Sequence, residues 1–129
     1  MVQARRKEMF LVTKCHESGG EAALHLLKQN LKELRTDHAD LVHIHSLGDL
    51  DLRTMLGKNG IYPALLKAKR DGLIRYIGVS GHSRPARFLT LLREADLDVM
   101  MCAVNFVDRH TYDFENGVWL SLPLADGSA

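Results

Sequence analysis

The sequence has 129 residues, a formal net charge of +1 and a 46% hydrophobic composition, which fits one ordinary globular domain with a genuine core. Such balanced charge excludes a broad basic field for nucleic acid or anionic lipid; no apolar run approaches the roughly 20 residues of a membrane span, and the first residues lack the apolar core of a secretion signal. Cys15 and Cys102 lie outside any CxxC spacing, so reduced thiols in a cytoplasmic protein are expected, with neither a disulfide framework nor a zinc site.

In chain order, "ARRKE" reads as a solvated approach to a first strand, "MFLVTK", which ends at Lys14. "CHESGGE" then supplies loop chemistry, and Ser18 with Glu21 three residues on fits a capping box. The helix that follows carries Leu24, Leu27, Leu31 and Leu34 at helical spacing, with Lys28, Lys32 and Glu33 on a wet face. A turn at "RTDHAD" leads into a second strand, Leu41 to His45, too apolar for a sheet with one face in water. After a polar loop, "IYPALLKAKRDG" is a helix with Pro63 in its first turn and Gly72 at its stop, its basic residues Lys67, Lys69 and Arg70 near the negative end. The pattern repeats as strand 74–80 ("IRYIGVS"), helix 84–95 and strand 98–106 ("DVMMCAVNF"); the tail from 116 to 129 has no clear assignment.

Strands alternating with helices of this length imply right-handed βαβ units and a parallel sheet. No GxGxxG turn follows the first strand, which argues against an open dinucleotide-binding sheet. A (β/α)8 barrel needs about 250 residues, and this chain has the length and the four strands of about half of one. The expected fold is therefore α/β, a partial (β/α)8 TIM barrel of about four consecutive parallel βα units in a single incomplete domain, 1–129.

Functional groups of parallel folds gather at the carboxyl ends of the strands, which here are Lys14, His45, Ser80 and Asn105. Alternation puts Phe10, Val12 and Lys14 on one face with Leu41, His43 and His45, with Tyr76, Gly78 and Ser80, and with Val99, Met101, Ala103 and Asn105. Two chemistries compete for this rim. The HxH of "DLVHIHS", with His16 and His82 after neighbouring strands, is a ligand-type pattern for metal-assisted hydrolysis, although no Asp or Glu ends a strand to complete it. The other is proton transfer to a carbonyl oxygen, with Lys and His tuning a donor and holding the oxygen where negative charge develops. Tyr62 and Tyr112 end no strand and read as helix-start or loop packing, Trp119 reads as packing, and Cys15 as an inert neighbour of Lys14.

"RKEMFLVTK", "LRTDHADLVHIHS", "AKRDGLIRYIGVSGHS" and "VNFVDR" resemble, in order and spacing, the middle of the aldo-keto reductases over about residues 5 to 115, most densely at "DGLIRYIGVS". The resemblance implies a (β/α)8 barrel that uses NADPH, less often NADH, to reduce a small-molecule carbonyl substrate through an Asp, Tyr, Lys and His tetrad. Lys14 matches the tetrad lysine, which lowers the tyrosine pKa, and His45 the histidine that orients the carbonyl; both are the expected catalytic residues. Ser80 matches the serine that bonds the nicotinamide carboxamide, and Asn105 lies in a segment beneath the cofactor; these are the expected cofactor-binding residues, and no metal is expected.

Two departures bear on the cofactor: the family's Asn after that serine is Gly81 here, and the expected Gln falls at Met101. The family's Asp and Tyr belong to two earlier strands, so the chain is expected to be the central portion of a barrel, with open sheet edges and an uncovered inner face. It should be inactive alone and need the missing barrel portions or self-association; a non-catalytic module retaining only the fold is a further alternative. His43, about 6–7 Å below His45 along the strand, is expected to be a core histidine with a hydrogen-bonded partner.

Overall fold

The computed structural model describes residues 2–82, 85–102, 110–113 and 118–121. Four strands, β1 (Val12–Cys15), β2 (Ala39–Ile44), β3 (Ile74–Gly81) and β4 (Val99–Cys102), form one parallel sheet in sequential order. Helices α1 (Gly20–Leu34), α3 (Ile61–Arg70) and α4 (Pro85–Glu94) lie in the connections, and the short α2 (Leu52–Leu56) precedes α3. This is the βα alternation of a partial (β/α)8 barrel, as the strand and helix periods predict. A separate antiparallel hairpin, β5 (His110–Asp113) with β6 (Val118–Ser121), occupies part of the tail.

The sheet's two faces differ. Cys15, Val42, Ile44, Ile77 and Val79 form a core cluster with Ala23, Leu27 and Leu31 of α1 and Leu65 and Ala68 of α3. Each fully buried aliphatic side chain there contributes about 1.5–3 kcal/mol relative to exposure. The opposite face is buried at its centre, at Leu41, His43 and Ser80, and exposed at its margins, at Phe10, Val12 and Met101. The expectation of an uncovered inner face thus holds for the flanking strands and fails for the two central ones, which have a neighbour on each side. Among the described residues, β1 and β4 each pair along one edge, and α4 shows Leu89 and Leu92 to solvent.

Three local expectations need correction. "ARRKE" is solvated at Ala4, Arg5, Lys7 and Glu8 as expected, but it belongs to a 3-10 helix, Gln3–Glu8, and its Arg6 reaches inward to Asp40 at 2.8 Å. The start of α1 has no capping box: its N-cap is Gly19, without a side-chain cap. Backbone from the α3 approach takes that place, with Gly20 N donating to Asn59 O (2.7 Å) and Ile61 N to Ser18 O (2.9 Å). This docking requires Gly20, because a Cβ there would lie 2.6 Å from Gly60 O. The loop before α3 contains α2, whose N-cap Asp51 accepts from Thr54 N at 2.8 Å.

The ends of α1 and α3 follow chain chemistry closely. Arg35 closes α1 in the left-handed region (φ 52°), with Thr36 N donating to Leu31 O. After α3, Gly72 takes φ 76°, as a stop glycine should. Tyr62 in the first turn of α3 accepts from Asp96 N at 2.8 Å, the helix-start packing expected of it. Tyr112 lies within β5, so its loop reading is corrected; the antiparallel pairing with β6 sets it opposite Trp119.

Candidate functional site

The parallel register assembles the rim. Lys14 is paired with His43, His43 with Gly78, and Ser80 with Met101. His45 follows the last residue of β2, and its N–H donates to Cys15 O at 2.9 Å, which continues the β1–β2 ladder by one step. Ser46 then turns in the left-handed region (φ 54°), and Leu47 N donates to Ser80 O at 3.0 Å. A non-glycine residue in that region carries strain, and such residues cluster at functional sites. The effect is to stop β2 beneath the rim with the His45 side chain beside β3.

There His45 Nδ1 lies 2.9 Å from Ser80 Oγ. Ser80 is 3% exposed. The His16 ring stands edge-on to His45, with centroids 5.9 Å apart. Burial comes first among the causes that hold the His45 pKa below the ordinary histidine value; Lys14, His16 and His82 add to it, and Asp49 opposes them. The rim therefore favours neutral imidazole at His45 and contains an exposed ammonium, Lys14. Cys15 beside it is buried, and that burial, with the Glu17 charge, raises the thiol above its usual range against the Glu17 backbone hydrogen bond, which makes it an inert neighbour.

His43 occupies the layer below, 1% exposed. Its ring lies across β3 where Gly78 leaves room: a Cβ on Gly78 would sit 2.6 Å from His43 Nδ1. Burial lowers its pKa first, the Val79 backbone opposes this, and Lys14 and His45 push it lower. The expected hydrogen-bonded partner is the Val79 backbone, while Nδ1, against Gly78, has no partner among the described residues. Among the described residues no group of three or more His, Cys, Asp or Glu side chains could hold a metal ion.

Of the four expected site residues, the structure brings Lys14, His45 and Ser80 to one rim, and Asn105 lies outside the described residues. Gly81, where the resemblance expects Asn, is closely packed: a Cβ would meet Phe88 Cζ at 3.2 Å and Leu47 Cβ and N at 3.3 Å. Met101 is exposed at 47%. Arg87 of α4 reaches back to Leu47 O at 3.1 Å and to Leu50 O, holding the loop after β2.

The sequence reading missed the opposite rim. Asp40 N donates to Leu11 O (2.9 Å) while Asp40 Oδ2 accepts from Leu11 N (2.8 Å). Asp98 repeats the device with Ile77, at 2.9 and 2.8 Å. Each carboxylate also holds basic side chains, Arg6 and Arg75 on Asp40 and Lys69 on Asp98. An Asp at a strand's start was the available signal.

A parallel, sequentially ordered sheet with a Lys, His and Ser rim at its carboxyl end defines a segment of a (β/α)8-barrel protein. The profile described as the aldo/keto reductase family matches residues 2–113, and the chain belongs to that family. Methylglyoxal reductase of Salmonella typhi is 37% identical over 84 residues, 62% of this chain and 30% of that protein. L-galactose dehydrogenase of Arabidopsis thaliana is 27% identical over 86 residues, 62% of this chain and 26% of that protein. Among solved structures, the holo form of an aldo-keto reductase from Bacillus halodurans matches with TM-score 0.69 at 25% identity, over 84% of this chain and 36% of that one. An aldo/keto reductase from Klebsiella pneumoniae in complex with NADP and acetate matches with TM-score 0.59 at 30% identity, over 74% of this chain and 32% of that one. The chain spans about a third or less of the length of the curated relatives it matches.

Proposed function

We propose that this chain carries the lysine and histidine of an oxidoreductase site that reduces small aldehydes or ketones with NADPH, NADH being the alternative. The observation that supports this best is the convergence of Lys14, His45 and Ser80 on one strand-end rim, with His45 held neutral and joined to Ser80 at 2.9 Å. In this reading neutral His45 donates from Nε2 to a carbonyl oxygen, and Lys14 lowers the pKa of a phenol on a neighbouring strand of the barrel. In this reading the phenol and its carboxylate partner come from other strands of the barrel, so the chain acts only together with polypeptide that supplies those strands.

Ser80 is the residue that would hold the nicotinamide carboxamide, and Asn105 belongs to the segment that would lie beneath the cofactor. The fit is partial: the Ser80 hydroxyl keeps acceptor capacity beside its bond to His45, whereas Gly81 supplies no side chain and Met101 no amide. When bound, the cofactor supplies hydride. The two free cysteines suit a reducing compartment, and we place the protein in the cytoplasm. Among the described residues no helix is long and apolar enough to cross a membrane.

The test is NADPH oxidation with methylglyoxal, the compound named for the Salmonella typhi relative. Two proteins are compared: the chain alone, and a chimera in which residues 5–113 replace their counterpart in a full-length relative. The chain alone should be inactive. The chimera should turn over and lose at least about 100-fold in kcat/KM with His45→Gln or Lys14→Met. An active chimera indifferent to both substitutions would overturn the assignment.

A further inference from the structure

The histidine expected to orient a carbonyl is useful as a donor only if its rim-facing nitrogen carries the proton. An isolated imidazole can carry it on either nitrogen. In this chain a neighbour decides. Ser80 comes from β3, 35 residues away in sequence, and is fixed twice beside His45: its carbonyl accepts from Leu47 N at 3.0 Å and its Oγ lies 2.9 Å from His45 Nδ1. Residues 45–47 are thereby clamped to β3 at both ends of the strained Ser46 turn.

The direction of the side-chain bond follows from burial. Ser80 is 3% exposed, and a buried hydroxyl hydrogen left without an acceptor costs about 1–3 kcal/mol. Among the described residues, its hydrogen-bond neighbour is His45 Nδ1. We propose that the Ser80 hydroxyl donates to His45 Nδ1 and so fixes His45 as the Nε2–H tautomer, which makes Ser80 a positioning residue of the carbonyl-binding histidine. The proposal rests on the oxidoreductase reading for its purpose, and on the His45–Ser80 geometry alone for its substance. It gives "GVSG" a task within the protein that the packed Gly81 cannot share, since its Cβ position is closed off by Phe88 and Leu47.

The groups facing His45 are Lys14, His16 and His82 as cations or potential cations and Asp49 as the carboxylate. All remain in the Ser80 variants, so a change in tautomer reports the hydroxyl.

The experiment is long-range ¹H–¹⁵N correlation on the uniformly ¹⁵N-labelled chain near neutral pH, with the His45 signals assigned by their loss in His45→Gln. The wild type should show a protonated Nε2 and a bare Nδ1. Ser80→Ala, checked for unchanged near-ultraviolet circular dichroism, should give averaged signals from both tautomers, and Ser80→Thr should restore the wild-type pattern. A wild-type Nδ1–H tautomer, or an unchanged pattern in a folded Ser80→Ala protein, would overturn the proposal. Because no turnover is measured, failure here is distinct from failure of the reductase reading, which the chimera tests.

Discussion

The two ends of the parallel sheet solve opposite problems with charge. At the amino end, Asp40 exchanges two hydrogen bonds with Leu11, just before β1, and Asp98 two with Ile77 of β3, and both hold cations: Arg6 at 2.8 Å and Arg75 at 3.2 Å on Asp40, and Lys69 at 2.7 Å on Asp98. At the carboxyl end, Lys14, His16 and His82 surround His45 and raise the cost of protonating it. The first arrangement satisfies buried charge and fastens strands together; the second holds groups that repel one another in their charged forms. The charge pattern thus separates a strand-fastening end from the end at which we propose the chemistry lies, as parallel barrels allow.

The largest effect should come from the amino end. Asp40→Ala strands Arg6, whose side chain is 13% exposed, and removes the acceptor of Leu11 N, so a loss of about 3–5 kcal/mol is expected in urea denaturation. Asp98→Ala should cost less, because its side chain and that of Lys69 are 28% and 37% exposed. Equal losses would break the ranking. In the layer between the two ends, Gly78→Ala should cost about 1–3 kcal/mol, since the new Cβ must displace the His43 ring; nuclear magnetic resonance shifts of His43 should move with it.

The pH dependence should separate the two ends. His43 and His45 have folded pKa values below their unfolded ones, so the unfolded chain binds more protons. Their stability contribution is present above about pH 6.5 and is lost as pH falls from there toward the folded values. Asp40 is raised by burial, but the Leu11 amide, Arg75 and Arg6 outweigh this and leave it below the ordinary carboxylate range. Its contribution is present above about pH 3.9 and disappears as pH falls through the lowered folded value. Stability against pH should therefore decline in two stages, and His43→Gln should flatten the upper one. An unchanged upper stage would mean that the histidines do not resist protonation. The smallest effect is a gain: Arg35→Gly should add about 0.5–1 kcal/mol by relieving a left-handed residue at the end of α1.

Much of this was legible in the sequence because it is local. The short apolar runs alternating with helical leucine spacing set the strands and helices, and the strand ends pointed to Lys14, His45 and Ser80 as the rim. The remainder depends on partners distant in sequence. The start of α1 is satisfied by Asn59 O and Ser18 O joins it to Ile61, contacts no local motif encodes. The inward reach of Arg6 depends on Asp40, and the joining of His45 to Ser80 on a crossing 35 residues long. The left-handed Ser46 was hidden because serine has no special claim to that conformation. The five-residue α2 was too short for a hydrophobic period to show.

The division between the two ends is tested most directly by urea denaturation of Asp40→Ala and His45→Gln side by side with the wild type at neutral pH. The midpoint should fall by more than about 1 M in Asp40→Ala, or the protein should fail to fold, and by less than about 0.5 M in His45→Gln. A drop in His45→Gln as large as that in Asp40→Ala would make His45 a structural residue and contradict the account.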